Sequence, residues 1–146
     1  MSKTVYLKKG KEESLGRFHP WIFSGAINHI DGRPEERDVV RVLSADGRFL
    51  AVGHIQIGSI AVRVLSFQDV AIDRGFWYDR LRVAYDVRKS IGVVRPDADS
   101  TEQTSSLNNT YRLVHGEGDG LPGLVIDVYN RTAVMQAHSE GMHVSR

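Results

Sequence analysis

The sequence predicts an α+β chain: a small barrel-like or strongly bent β-sheet, then one linking helix, then a short antiparallel β-meander. Three observations lead there. Residues 1–70 alternate short β-rich runs with turn chemistry, residues 76–91 carry a helical period, and β-rich runs resume at Tyr111.

Thr4–Leu7 is the first β-rich run, broken by Lys8-Lys9-Gly10-Lys11. Ser14–Arg17 reads as a single helical turn that His19-Pro20 closes, because the residue before a proline is pushed out of the helical region. Trp21-Ile22-Phe23 is an apolar cluster, and a strand follows Gly25 to Ile30. Asp31-Gly32-Arg33-Pro34 is a loop. Val39–Leu43 and Phe49–Ile55 flank Ala45-Asp46-Gly47-Arg48, and Asp-Gly between apolar runs is the strongest short hairpin signal. Ile60–Phe67 adds a strand that alternates Ala61, Arg63 and Leu65 with Val62, Val64 and Ser66. About five short strands in this space indicate a small barrel or bent sheet.

The period then changes. Asp73 is placed as the N-cap of a helix over Phe76–Ile91, with Gly92 as its stop. Trp77, Leu81, Ala84 and Val87 or Arg88 recur at spacings of three and four, and Phe76, Val83 and Ile91 widen that apolar side. Residues 95–110 are polar and rich in Ser and Thr, as expected of a mobile loop or linker. Tyr111–His115, Leu124–Tyr129 and Thr132–Ala137 are strands joined by a turn over Gly116–Gly123 and a tight turn at Asn130-Arg131. The expected division is therefore 1–72, a connecting 73–110, and 111–146.

Composition narrows the function classes. Hydrophobic residues make up 41% and charged residues 25% of the 146, which describes a folded globular chain. No apolar run approaches the roughly 20 residues that span a bilayer. The first residues lack the apolar stretch of a signal peptide, so a cytoplasmic location and no membrane partner are expected. Without cysteine there is no disulfide, thiolate ligand or thiol nucleophile. The net charge is +1, but Lys3, Lys8, Lys9, Lys11 and Arg17 face only Glu12 and Glu13 within the first 25 residues. Such a local patch attracts phosphate, although solvated surface lysines give the same count.

Four constellations carry candidate chemistry. The glycines of Gly116-Glu117-Gly118-Asp119-Gly120-Leu121-Pro122-Gly123 could cradle a phosphate, but that needs a helix N-terminus directly after them, and a strand follows. A structural turn is the better reading. Glu117 and Asp119 could pair for acid–base work, yet no nucleophile stands beside them. Of the six histidines only His138 and His143 are close, at a spacing that suits chelation on neither a helix nor a strand, so no metal is expected. Arg17-Phe18-His19-Pro20-Trp21-Ile22-Phe23 sets cations beside aromatics at a turn, a mix that holds phosphate while packing on sugar or base. Trp21 and Phe23 are assigned to the core there, and Arg17 and His19 to exposed contacts.

These residues also carry a resemblance. Lys9-Gly10-Lys11, Arg17 and His19-Pro20-Trp21-Ile22-Phe23-Ser24-Gly25-Ala26-Ile27 resemble the opening of bacterial large-subunit (23S) rRNA cytosine-C5 methyltransferases. Gly53-His54 and Ile60–Val64 are similar to later strands of that family's N-terminal PUA domain, an RNA-binding pseudo-barrel. Tyr111-Arg112-Leu113-Val114, the segment Gly116–Gly123 and Asp127 are similar to the signature opening the family's middle, substrate-positioning domain; Gly118 stands where relatives commonly have serine.

The resemblance implies a PUA-like domain at 1–72 with ribosomal RNA as partner, and Lys8, Lys9, Lys11, Arg17 and His19 as the candidate contacts. For a longer parent it implies S-adenosylmethionine as methyl donor and a cysteine nucleophile in a Rossmann-like domain. This chain has no such cysteine and no strand–glycine-turn–helix of that kind, so by itself it is expected to hold no cofactor and to be catalytically silent. Two other readings stay open: a stand-alone RNA-binding adaptor, and an interaction module that forms a homodimer through exposed strand edges.

Overall fold

A computed structural model of the chain describes residues 3–94 and 110–145. The polar loop expected at 95–110 lies outside them except for Thr110. The chain divides into two compact units, residues 1–71 with 139–146, and residues 72–138.

The first unit is a six-stranded mixed sheet. Its strands are β1 (Thr4–Leu7), β2 (Trp21–Phe23), β3 (Ile27–Asp31), β4 (Val39–Leu43), β5 (Phe49–Ile55) and β6 (Ile60–Ser66), in the order β2-β6-β5-β4-β1-β3. Neighbours are antiparallel except β1 and β4, which run parallel with Val5 opposite Val42. The edge strands β2 and β3 are joined only by a 3-10 turn over Ser24–Ala26. Four Cα steps reach about 15 Å, whereas the edges of a flat six-stranded sheet stand about 24 Å apart. The sheet must therefore curl, which is the bent, barrel-like form the short strands predict. The inside of the curl is filled by Val5, Leu7, Leu15, Ile22, Val40, Val42, Ala51, Ile55, Val62 and Val64.

The β4–β5 hairpin turns at Asp46-Gly47, where Gly47 has φ +87° and its N–H donates to the Ser44 carbonyl at 3.0 Å. Between β1 and β2, the short helix α1 (Glu13–Gly16) buries Leu15. A helix absent from the sequence reading, α3 (Glu140–Ser145), completes this unit. It lies on His54 of β5, with the Ser145 Oγ 3.4 Å from the His54 Nε2. Gly141 makes that approach possible, since a Cβ there would overlap the imidazole.

The second unit pairs α2 (Arg74–Ser90) with the antiparallel sheet β7-β8-β9, formed by Thr110–His115, Leu124–Tyr129 and Thr132–Ala137. Asp73 caps α2 by accepting the Phe76 N–H at 2.9 Å. The inward stripe of α2 keeps Trp77, Leu81, Ala84 and Arg88 of the expected one, while Val83 and Ile91 fall outside it and Arg80 joins it. Val83 is 60% and Ile91 69% exposed, while Ala84 is buried and Arg80 and Arg88 are at most half-exposed. Apolar periodicity does not announce an inward Arg80, which lies 5.1 Å over the Phe76 ring one turn back, nor the reason Arg88 turns inward, a carboxylate 31 residues on at Asp119.

Candidate functional site

Lys8, Lys9 and Lys11 occupy one tight turn after β1. The Lys11 N–H donates to the Lys8 carbonyl at 3.0 Å, and Gly10 takes φ +84°, as the third position of a type II turn requires. All three side chains are exposed, as are those of Arg17 and His19 across α1. Among the described residues no ion pair engages Lys8, Lys9, Lys11 or Arg17. Elsewhere in this unit three cations are committed to carboxylates: Lys3 to Asp38, Arg37 to Glu140 at 3.2 Å, Arg41 to Asp69 at 2.6 Å.

Beside the lysine turn lies a cleft of about 340 Å³ with Leu7, Leu15 and Ile22 in its walls and Lys11, Ser14 and Phe23 at its margin. Lys11 is thus brought next to Trp21 and Phe23, whereas Lys8, Lys9 and Arg17 stand outside the cleft. The His19 ring sits 6.2 Å from both the Trp21 and Phe23 rings, and its Nδ1 lies 3.2 Å from the Trp21 N–H, which donates to it. Of the aromatic pair assigned to the core, Phe23 is instead 49% exposed, because Ile22 between them takes the inward position of the strand. Phe18 was not singled out as a contact, yet it is 71% exposed at the end of α1. The available signal was a helical turn closed by a residue other than glycine.

The glycine-rich segment of the second unit is a structural turn. Gly116–Asp119 form one 3-10 turn, Gly120 follows with φ +69°, and the chain runs into β8. The turn is closed by a fork: the Arg88 guanidinium grips both oxygens of the Asp119 carboxylate, and the His115 N–H donates to that carboxylate at 2.7 Å. Burial works against the ionised Asp119, but Arg88 and the His115 N–H outweigh it and hold its pKa below the usual carboxylate range. A second fork joins Arg112 to Asp127 at 2.7 and 3.2 Å and lowers the Asp127 pKa likewise. With Asp119 engaged and no helix N-terminus following, this segment does not fit a nucleotide or S-adenosylmethionine. Among the described residues no cluster of His, Asp and Glu could hold a metal ion, and no helix is long and apolar enough to cross a membrane.

Residues 5–67 match the family model of the PUA-like domain. Over 148 aligned residues covering all of this chain, the sequence is 39% identical to the ribosomal RNA large subunit methyltransferase I of Aeromonas salmonicida, of which it covers 35%. It is 37% identical over 97% of its length to the enzyme of that name from Vibrio cholerae, covering 33% of it. The fold matches, with a TM-score of 0.76 and 18% identity, a solved Streptococcus mutans protein described as a SAM-dependent methyltransferase; the match covers all of this chain and 35% of that one. The chain therefore contains a PUA-like domain and has homologues among large-subunit ribosomal RNA methyltransferases, spanning about a third of the length of the curated relatives it matches.

Proposed function

We propose that this chain is the RNA-engaging portion of a cytoplasmic, SAM-dependent methyltransferase that acts at C5 of a cytosine in large-subunit ribosomal RNA. Similarity along the whole chain to enzymes named ribosomal RNA large subunit methyltransferase I supports the ribosomal RNA methyltransferase reading, and C5 of cytosine rests on the motif resemblance of residues 9–27 and 111–127. Within it, residues 1–72 bind RNA, 73–110 connect, and 111–146 open a substrate-positioning domain. Methyl transfer, the cofactor and the attacking thiolate belong to the longer protein; this chain has no cysteine.

The part played here is affinity. Lys8, Lys9, Lys11 and Arg17 are exposed, unpaired cations that can displace counterions from phosphates, and His19 holds a ring against Trp21 and Phe23. Fluorescence-anisotropy titration with a structured ribosomal RNA fragment, at low and moderate salt beside a double-stranded DNA control, tests this. The expected result is RNA-preferring binding that weakens as salt rises. Binding absent at low salt removes the proposal.

A further inference from the structure

Phe18 stands where helix chemistry calls for glycine. The end of α1 is a Schellman arrangement: the Phe18 N–H donates to the Leu15 carbonyl at 2.9 Å and the His19 N–H to the Ser14 carbonyl at 3.0 Å. The residue at its left-handed position is Phe18, with φ +60°. A Cβ there crowds its own backbone, and a bulky side chain is a rare outlier. Burial of the ring would offset the strain, yet Phe18 is 71% exposed. An edge-on contact with Phe67, at 5.2 Å between ring centroids, steadies the ring and leaves most of it in solvent.

Its neighbours narrow what the ring is for. Arg17 and His19 flank it, and the Lys8–Lys11 turn leads into the same short helix, all exposed. Cations around an open aromatic face complement an anionic chain that carries planar apolar groups, which is a nucleic-acid strand with unpaired bases. A paired duplex offers the phosphates but hides the base faces. An apolar protein surface offers faces without phosphates and leaves the cations unmatched.

We infer that Phe18 is a stacking platform for an unpaired base of the bound RNA, held out by the left-handed turn at the end of α1. This rests on the RNA-binding reading above. It adds a preference for unpaired strand and a residue on which that preference depends.

The full chain is titrated with a fluorescein-labelled oligouridine of about 12 nucleotides and with a blunt RNA hairpin closed by a non-nucleotide linker, which carries no unpaired base. Phe18→Gly relieves the strained φ, so it melts at or above the parent temperature. It also loses about ten-fold in affinity for the single strand, with little change for the hairpin. Phe18→Leu loses affinity for the single strand as Phe18→Gly does, and Phe18→Trp keeps the affinity. A 2-aminopurine placed in the strand is quenched on binding the parent and Phe18→Trp, and not on binding Phe18→Leu. Parent-like binding by Phe18→Leu, or equal losses on strand and hairpin, overturns the stacking role while salt-sensitive binding keeps the RNA reading intact. Absence of salt-sensitive binding to either RNA overturns both.

Discussion

The two units of this chain hold themselves together differently, and the contrast shows in which of their charges are paired. The first unit curls a six-stranded sheet around ten buried apolar residues and leaves Lys8, Lys9, Lys11 and Arg17 unpaired on its surface. Among its described residues the second has three strands and the helix α2, a marginal amount of sheet. There Arg88 and Arg112 are tied to Asp119 and Asp127. In the first unit the lysine turn and Arg17 stand clear of the packed sheet; in the second, Arg88 closes the glycine-rich turn and Arg112 ties β7 to β8. The same residue type therefore predicts opposite phenotypes in the two units.

That comparison can be broken in several ways, and the two tryptophans, Trp21 in the first unit and Trp77 in the second, allow each to be followed separately. The largest effect is expected from Gly53→Ala, whose Cβ would overlap the Arg63 carbonyl and the Val62 side chain in the middle of the sheet. In a Trp77→Phe background, urea unfolding should show a loss of about 3 kcal/mol or more. A loss under about 1 kcal/mol would mean the sheet is not the rigid element described.

Next comes His54. Burial pushes its pKa down to about 4 from 6.5. The unfolded chain binds the proton more readily, so stability is full above pH 6.5 and falls as the pH drops toward 4, by up to about 3 kcal/mol. Trp21 unfolding curves measured across that range should follow this slope, and His54→Gln should flatten it. An unchanged slope in the variant would assign the acid sensitivity to another group.

Arg88→Met should cost about 2 kcal/mol, because Asp119 keeps the His115 N–H but loses its counter-charge in a half-buried site. Since the Asp119 pKa is depressed when folded, its contribution is present at neutral pH and lost in acid, below the usual carboxylate range. The variant, read through Trp77, should lack that acid loss. Smallest for stability is the triple change Lys8→Glu, Lys9→Glu, Lys11→Glu, expected within about 0.5 kcal/mol of the parent. RNA affinity should nonetheless collapse at low salt. Destabilisation equal to that of Arg88→Met would erase the distinction between free and committed cations.

How legible these features are in the sequence follows from how local they are. Asp73 announces the start of α2 because a cap acts over three residues, and it does accept the Phe76 N–H. Asp46-Gly47 announces its hairpin because the turn needs a left-handed residue at that point. The exposure of the lysine turn also reads directly, since Gly10 breaks the strand and nothing apolar accompanies it. By contrast, α3 is six residues long with a glycine at its second position, so no local propensity reveals it. It forms against His54, 86 to 91 positions earlier in the chain.

The sequence by itself determined the α+β class, the named strands and turns to within a residue or two, the capped helix and the exposed lysine turn, because each depends on backbone preferences within a few residues. Tertiary structure decided the rest. The curling of the sheet depends on two edge strands being neighbours in sequence, and the parallel pairing of β1 with β4 on contacts 37 positions apart. The inward turn of Arg88 depends on a carboxylate 31 residues away. The exposure of Phe18 depends on a helix end whose hydrogen bonds hold a bulky residue in a left-handed conformation while most of its ring stays in water. Local preference writes the elements of this protein; which face each element buries is settled only when distant partners meet.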